Sequence, residues 1–160
     1  MNENRMNTHK EIIASLKIIH LTMMVGVAIF YIISFFLVKQ LGPFGKLEQA
    51  AGQTILIGFL LIAALLVILA YIVHSRKIKT ISQLPIQEKL QVYRTSLILK
   101  LAMLEGSVFL GIATYLMIGL VSVFAATAII MMLLLLNHPT ADQLSTELGL
   151  NPPEISDLQD

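Results

Sequence analysis

One carboxylate, Glu105, lies in a run of apolar residues from Leu101 to Leu136 that contains no other charged side chain. A carboxylate in such surroundings can bind a proton or a cation, or it can pair with a polar neighbour and so fix the order of helices. Which of these it does depends on the polar side chains that the fold brings to the same depth.

Three further side chains, His20, Lys100 and His138, are expected near the depth of Glu105. If Lys17 and Lys100 mark the membrane surface, Glu105 lies about 7 Å deeper than Lys100 at the rise of an α-helix. His20 lies about 4–5 Å inside Lys17 by the same rise, and His138 returns to this level at the end of the last apolar segment. We therefore predict that the four side chains form one intramembrane polar or proton site.

Three interpretations of this site remain open from the sequence. In the first, Glu105 fixes the order of helices, either by pairing with His20 or Lys100 or by staying protonated and donating a hydrogen bond to a backbone carbonyl. In the second, Glu105 is the titrating group of proton or cation transfer. In the third, the cluster binds a ligand or a lipid headgroup at the inner leaflet.

Small side chains accompany Glu105 and favour close helix packing, because they let two backbones approach each other. Ala102 and Gly106 form a small-x-x-x-small pair around Glu105, and Ser107 and Gly111 form a second pair. The predicted packing residues on the other apolar segments are Gly26, Ser122 and Ala126.

The composition is that of a membrane protein. Of the 160 residues, 56% are hydrophobic and only 13% are charged, whereas soluble domains carry about 25% charged residues. Roughly half of the usual polar surface is missing by that comparison, so a water-soluble fold could not cover the apolar area.

Three apolar segments provide enough residues for four spans. Residues 18–38 and 54–73 each match the length of about 20 residues that one span needs. The third segment is too long for one span, and Gly119 tolerates the backbone angles of a reversal. We therefore predict an all-α bundle of four transmembrane helices at 18–38, 54–73, 99–118 and 120–137; a single long, tilted third helix is the alternative. The first helix is expected to remain in the mature protein.

The basic residues predict the orientation. With four spans, nine of the 11 Lys and Arg residues fall on the side that holds both termini. The positive-inside rule therefore places both termini in the cytoplasm of a bacterial-type inner membrane. Arg76, Lys77 and Lys79 are predicted to lie at this membrane surface, where anionic headgroups attract each of them by about 1 kcal/mol.

Two segments outside the spans carry helix signals. Apolar residues recur at helical spacing from Ile86 to Leu97 and predict a short amphipathic segment that leads into the third span. In the acidic tail, Thr140 followed by Gln143 matches a capping box, and Gly149 is a natural helix stop. With a second start after Asn151, we predict two short tail helices, which either dock on a surface or remain solvated. The expected division is a membrane domain at 1–138 and a cytoplasmic tail at 139–160.

Several classes of function are not expected. The chain has no cysteine, and we found no metal-binding or catalytic motif, so we predict neither a metal, a cofactor nor an enzyme. The net charge of +1 and a tail without Lys or Arg argue against binding nucleic acid. The best-supported function is an accessory or scaffold subunit that acts through helix and tail contacts. Its expected partners are the lipid bilayer and either other membrane subunits or a homo-oligomer. The alternative is a proton- or ion-coupled transport component that uses Glu105.

Overall fold

The computed structural model describes residues 3–45, 47–81 and 84–149, and the regular structure in these ranges is helical. The helices are α1 (Glu3–Leu41), α2 (Gln49–Thr80), α3 (Ile86–Ile118), α4 (Val121–Leu136) and α5 (Ala141–Leu148). The first four run up and down through one bundle, so the predicted all-α bundle of four apolar helices is confirmed. We call the end that holds residues 42–48 the loop end, and the end that carries α5 the tail end.

Three of the helices are long and apolar enough to cross a membrane, over Ile13–Leu41, Ala50–Thr80 and Ile86–Ile118. The helices continue past the predicted spans, because helix-favouring polar residues extend them beyond the apolar stretch that hydropathy detects. With 16 residues, α4 is shorter, about 24 Å at the α-helical rise. The chain is therefore a multi-pass membrane protein whose first three helices extend beyond α4.

The centre of the bundle is α3. It packs against α1, α2 and α4, and thirteen of its residues are buried, at spacings of mostly three and four. Toward the tail end, Leu97, Leu101 and Leu104 belong to one apolar cluster. Toward the loop end, Val108 and Ile112 belong to a second cluster. The buried side chains of α3 therefore contact neighbouring helices, and its remaining side chains face outward.

At the loop end, α3 stops at Gly119, as predicted. This glycine has φ +67°, and its N–H donates to the carbonyl of Tyr115 at 2.8 Å. The loop before α2 covers the same turn, because the N–H groups of Phe44 and Gly45 donate to the carbonyls of Leu116 and Met117, each at 2.9 Å. Carbonyls that the end of a helix leaves without partners are satisfied in this way.

At the tail end, α5 folds back onto the bundle. The hydroxyl of Thr140 accepts a hydrogen bond from the N–H of Gln143 at 3.1 Å, and Gly149 ends the helix with φ +62°. Leu144 and Leu148 are buried in the tail-end cluster. The second predicted tail helix lies outside the described residues.

Candidate functional site

His20 and His138 lie in contact at the tail end. Their ring centroids are 5.4 Å apart and the rings are perpendicular. His20 is only 2% exposed, and its Nδ1 has no hydrogen-bond partner among the described residues, whereas His138 is exposed. This pair joins α1 to the residues that follow α4.

Lys100 is buried, with 6% of its surface exposed. Its Nζ lies 4.4 Å from the centroid of the Tyr71 ring, a distance at which a cation is attracted to the aromatic face. The hydroxyl of Tyr71 accepts a hydrogen bond from Nδ2 of Asn137 at 2.7 Å. Residues of α2, α3 and the end of α4 are therefore connected around one ammonium group.

A second polar contact connects α5 to α2 and α3. Nε2 of His74 lies 2.9 Å from Oε2 of Glu147, and Nδ1 of His74 lies 3.0 Å from Oγ of Ser96. The Ser96 hydroxyl donates to the carbonyl of Tyr93 at 3.0 Å. A carboxylate only accepts hydrogen bonds, so Nε2 of His74 donates to Glu147. These contacts link Glu147 on α5 through His74 on α2 to Ser96 and the backbone of α3.

The surroundings of Glu147 favour its charged form. The hydrogen bond from His74, then the positive charges of His74 and Lys100, hold the pKa of Glu147 below its ordinary value, although burial acts in the opposite direction. The phenol of Tyr93 lies near this carboxylate and acts in the same direction as His74 and Lys100. The carboxylate therefore has one direct hydrogen bond, from His74, and is surrounded by Lys100 and Tyr93.

Glu105 lies apart from these contacts. It is half-buried, and within the ranges that the structure describes no hydrogen bond or ion pair to it is found. The neighbouring Leu101, Leu104 and Val108 are buried and apolar, while Ala102 and Gly106 are exposed. The four residues of the predicted polar site are consequently distributed as one histidine pair, one lysine over a tyrosine, and one carboxylate without such a contact.

The predicted packing residues differ in what surrounds them. A Cβ at Gly111 would overlap the side chain of Thr127, so this glycine permits the close approach of α3 and α4, and Ser107 is buried on the same helix. In contrast, a Cβ at Gly26 or Gly106 would meet no atom within 4 Å. Ser122 is exposed and Ala126 is half-buried.

The predicted surface cations lie at the tail-end terminus of α2. Arg76, Lys77 and Lys79 are all exposed. Arg76 and Lys79 line a surface depression of about 410 Å³ together with Tyr71, whose ring contacts Lys100.

The contact between His74 and Glu147, which lie 73 positions apart, was not predicted from the sequence. The only signal for this contact in the sequence was an acidic residue, Glu147, on a helix too short to be stable without docking on the bundle. A cavity of about 670 Å³ at the loop end was also missed; its walls include Glu48, Gln53 and Ser122. Loop residues build this cavity together with helix ends, and no periodic pattern describes such an arrangement.

Within the described residues, no group of three His, Asp or Glu side chains could hold a metal ion. No family model matches the chain, and no curated protein or solved structure is significantly similar to it.

Proposed function

We propose that this membrane protein is an accessory or scaffold subunit that presents one face of α3 to a transmembrane helix of another membrane subunit. We call this surface the α3 contact face and define it by Ala102, Glu105, Gly106, Phe109 and Ala113. These residues lie within one side of the helix, because their spacing of three and four residues matches the helical repeat. Apart from half-buried Glu105, all of them are exposed.

Glu105 is the observation that supports the proposal most strongly. An acidic side chain that faces hydrocarbon costs about 2.5–3.5 kcal/mol at the centre of a spanning helix and somewhat less at the depth expected for Glu105. The described part of the chain supplies no hydrogen bond to offset this cost. A helix from a partner that carries a hydrogen-bonding side chain would offset it. We therefore expect the partner helix to combine small residues with such a side chain.

The shape of the bundle beside Glu105 suits a closely packed helix. The rings of Phe30 and Phe109 are in contact, with centroids 5.7 Å apart, and α1 and α3 run in the same direction. Gly26 and Glu105 each precede one of these rings by four residues, so they lie at the same depth. Gly26 and Gly106 both leave open space, and a partner backbone could approach there.

The exposed basic residues are the basis of the proposed orientation of the protein in the membrane. The exposed cations Arg76, Lys77 and Lys79 would put the tail end at the cytoplasmic surface of a bacterial-type inner membrane, where anionic headgroups attract them. The loop end would then face the opposite compartment, and residues 139–160 would form the cytoplasmic tail.

The α3 contact face can be tested with one pair of matched variants. Gly106→Leu fills the face, whereas Gly58→Leu adds the same side chain to α2 at another helical glycine with open space around it. Because the chain has no cysteine, Ala102→Cys can be combined with each variant and cross-linked in native membranes. We expect a cross-linked partner for Ala102→Cys alone and with Gly58→Leu, and its loss with Gly106→Leu.

Equal cross-linking yields in both variants would rule out this face as the contact. A cross-linked product of twice the 17.7 kDa chain mass would show that the partner is a second copy of this protein and not another subunit.

A proton- or ion-coupled role for Glu105 is the second candidate, and it is favoured by the absence of a described hydrogen bond to this carboxyl group. Glu105→Gln separates the two functions, because it keeps the size and hydrogen-bonding capacity of the side chain but cannot ionise. If the protein is a scaffold, we expect the Glu105→Gln variant to keep its partner and the complex to keep its activity. Loss of transport activity while the partner remains bound would instead support ion coupling.

A further inference from the structure

The short helix α5 places one carboxylate among buried polar groups of α2 and α3. We call this place the Glu147 seat and define it by His74, Tyr93, Ser96 and Lys100. His74, Tyr93 and Lys100 are 5%, 2% and 6% exposed. The seat therefore has the composition of an anion-binding site, because an imidazole donates to the carboxylate at 2.9 Å and an ammonium group and a phenol hydroxyl lie beside it.

The occupant of this seat is held by few contacts. Helix α5 has eight residues, too few to be stable in isolation, and its buried residues include Leu144 and Leu148. When α5 leaves, His74 loses the acceptor of its hydrogen bond, and the ammonium group of Lys100 loses a neighbouring carboxylate. An unpaired charge in a buried site is strongly unfavourable, so an open seat favours the binding of another anion.

The location of the seat indicates where that anion comes from. The seat lies at the tail end of the spans, and Lys100 contacts Tyr71. Tyr71 also lines the surface depression that contains the exposed cations Arg76 and Lys79. A phosphate group bound by these cations would lie next to Tyr71 and close to the seat.

We propose that the Glu147 seat is a binding site for phosphate-bearing anions, that α5 closes it in the present structure, and that the headgroup phosphate of an anionic phospholipid occupies it when α5 leaves. The tail helix and the membrane surface then compete for one site. This inference concerns the tail end and does not depend on the α3 contact face.

The test uses the full chain in lipid nanodiscs of three kinds: phosphatidylcholine alone, phosphatidylcholine mixed with phosphatidylglycerol, and phosphatidylcholine with inorganic phosphate in the buffer. Hydrogen–deuterium exchange of residues 141–149 reports whether α5 is docked, and native mass spectrometry counts retained phosphatidylglycerol. Glu147→Gln opens the seat without changing its shape. Glu88→Gln is the matched control, because it removes the same charge at the tail end from an exposed residue of α3.

For the wild-type chain, we expect slow exchange of α5 in phosphatidylcholine and faster exchange with phosphatidylglycerol. Glu147→Gln should exchange about tenfold faster in every lipid, since it loses a charge-assisted hydrogen bond, and it should retain more phosphatidylglycerol than wild type. Glu88→Gln should behave as wild type. Lys100→Met should abolish the response to phosphatidylglycerol, and circular dichroism checks that it remains helical.

Equal retention of phosphatidylglycerol by wild type and Glu147→Gln would overturn the proposal even if Lys100→Met fails to fold. Exchange of wild-type α5 that does not respond to either anion would overturn it as well. A response to inorganic phosphate without a response to phosphatidylglycerol would keep the anion site and assign it to soluble phosphate.

Discussion

Two side chains show how single residues control this bundle. Gly111 lets α3 and α4 come together, because its missing Cβ leaves room for the side chain of Thr127. Glu147 holds α5 through its ion pair with His74. The first contact is steric and lies between apolar helices, whereas the second is electrostatic and responds to pH.

Gly111→Ala should destabilise the protein by about 1–3 kcal/mol, the usual cost of placing extra atoms in a packed interface. Thermal unfolding in detergent measures this. The double variant Gly111→Ala with Thr127→Ala should recover most of the loss, because Thr127 supplies the overlapping atoms. Gly106→Ala, which has open space at the same helix, is the control and should not destabilise. A single Gly111→Ala variant as stable as wild type would contradict the close contact.

The docking of α5 should weaken in acid. The pKa of docked Glu147 is lowered from the ordinary value of 4.5, so docking favours the ionised carboxyl group, and this contribution is complete above pH 4.5. It is lost as the pH falls through the lower pKa of the docked state. The groups that face the carboxylate are His74 on α2 and Tyr93 and Lys100 on α3. Amide exchange of residues 141–149 should accelerate over this acid range, and the acceleration should be much smaller in Glu147→Gln.

At the scale of helices, the ends of α4 and α5 decide how the tail is placed. α4 stops at Leu136 while α1, α2 and α3 continue, and the apolar surface beyond it is covered by Leu144 and Leu148. Burial of each leucine contributes at most about 1.5–3 kcal/mol. The tail therefore completes the tail-end cluster of its own chain.

Thr140→Ala should loosen α5 by about 1 kcal/mol, the typical contribution of a hydroxyl N-cap. Faster amide exchange limited to residues 141–149 would report this, and Thr140→Ser, which keeps the hydroxyl, should restore wild-type rates. If α5 exchanges at the wild-type rate in Thr140→Ala, the cap does not hold the helix.

At the scale of the whole molecule, four apolar helices imply a defined arrangement across the bilayer. Reporter tags at residues 45 and 150 should lie in opposite compartments, because an odd number of spans separates them. The tag at 150 should be cytoplasmic, in accordance with the basic residues of the tail end. Two tags that report one compartment would contradict four spans.

Much of this architecture could be predicted because its signals are local in the chain. The apolar runs, the reversal at Gly119 and the cap at Thr140 each depend on a few consecutive residues. The depth of Glu105 is likewise a prediction from helical rise alone. The direction of the Glu105 side chain could not be predicted from the sequence. Lipid is as apolar as the interior of the bundle, and no polar stripe marks the outer face of α3.

The sequence by itself determined that the chain forms a bundle of four apolar helices suited to a membrane and that the last two join at Gly119, since hydrocarbon demands helices of a certain length and composition. Only the tertiary structure decided which polar groups meet. His20 contacts His138, Lys100 lies over Tyr71, and Glu147 pairs with His74, because contacts between distant positions depend on the rotation and stagger of packed helices. The hydropathy of a single helix specifies neither its rotation nor its stagger against the other helices.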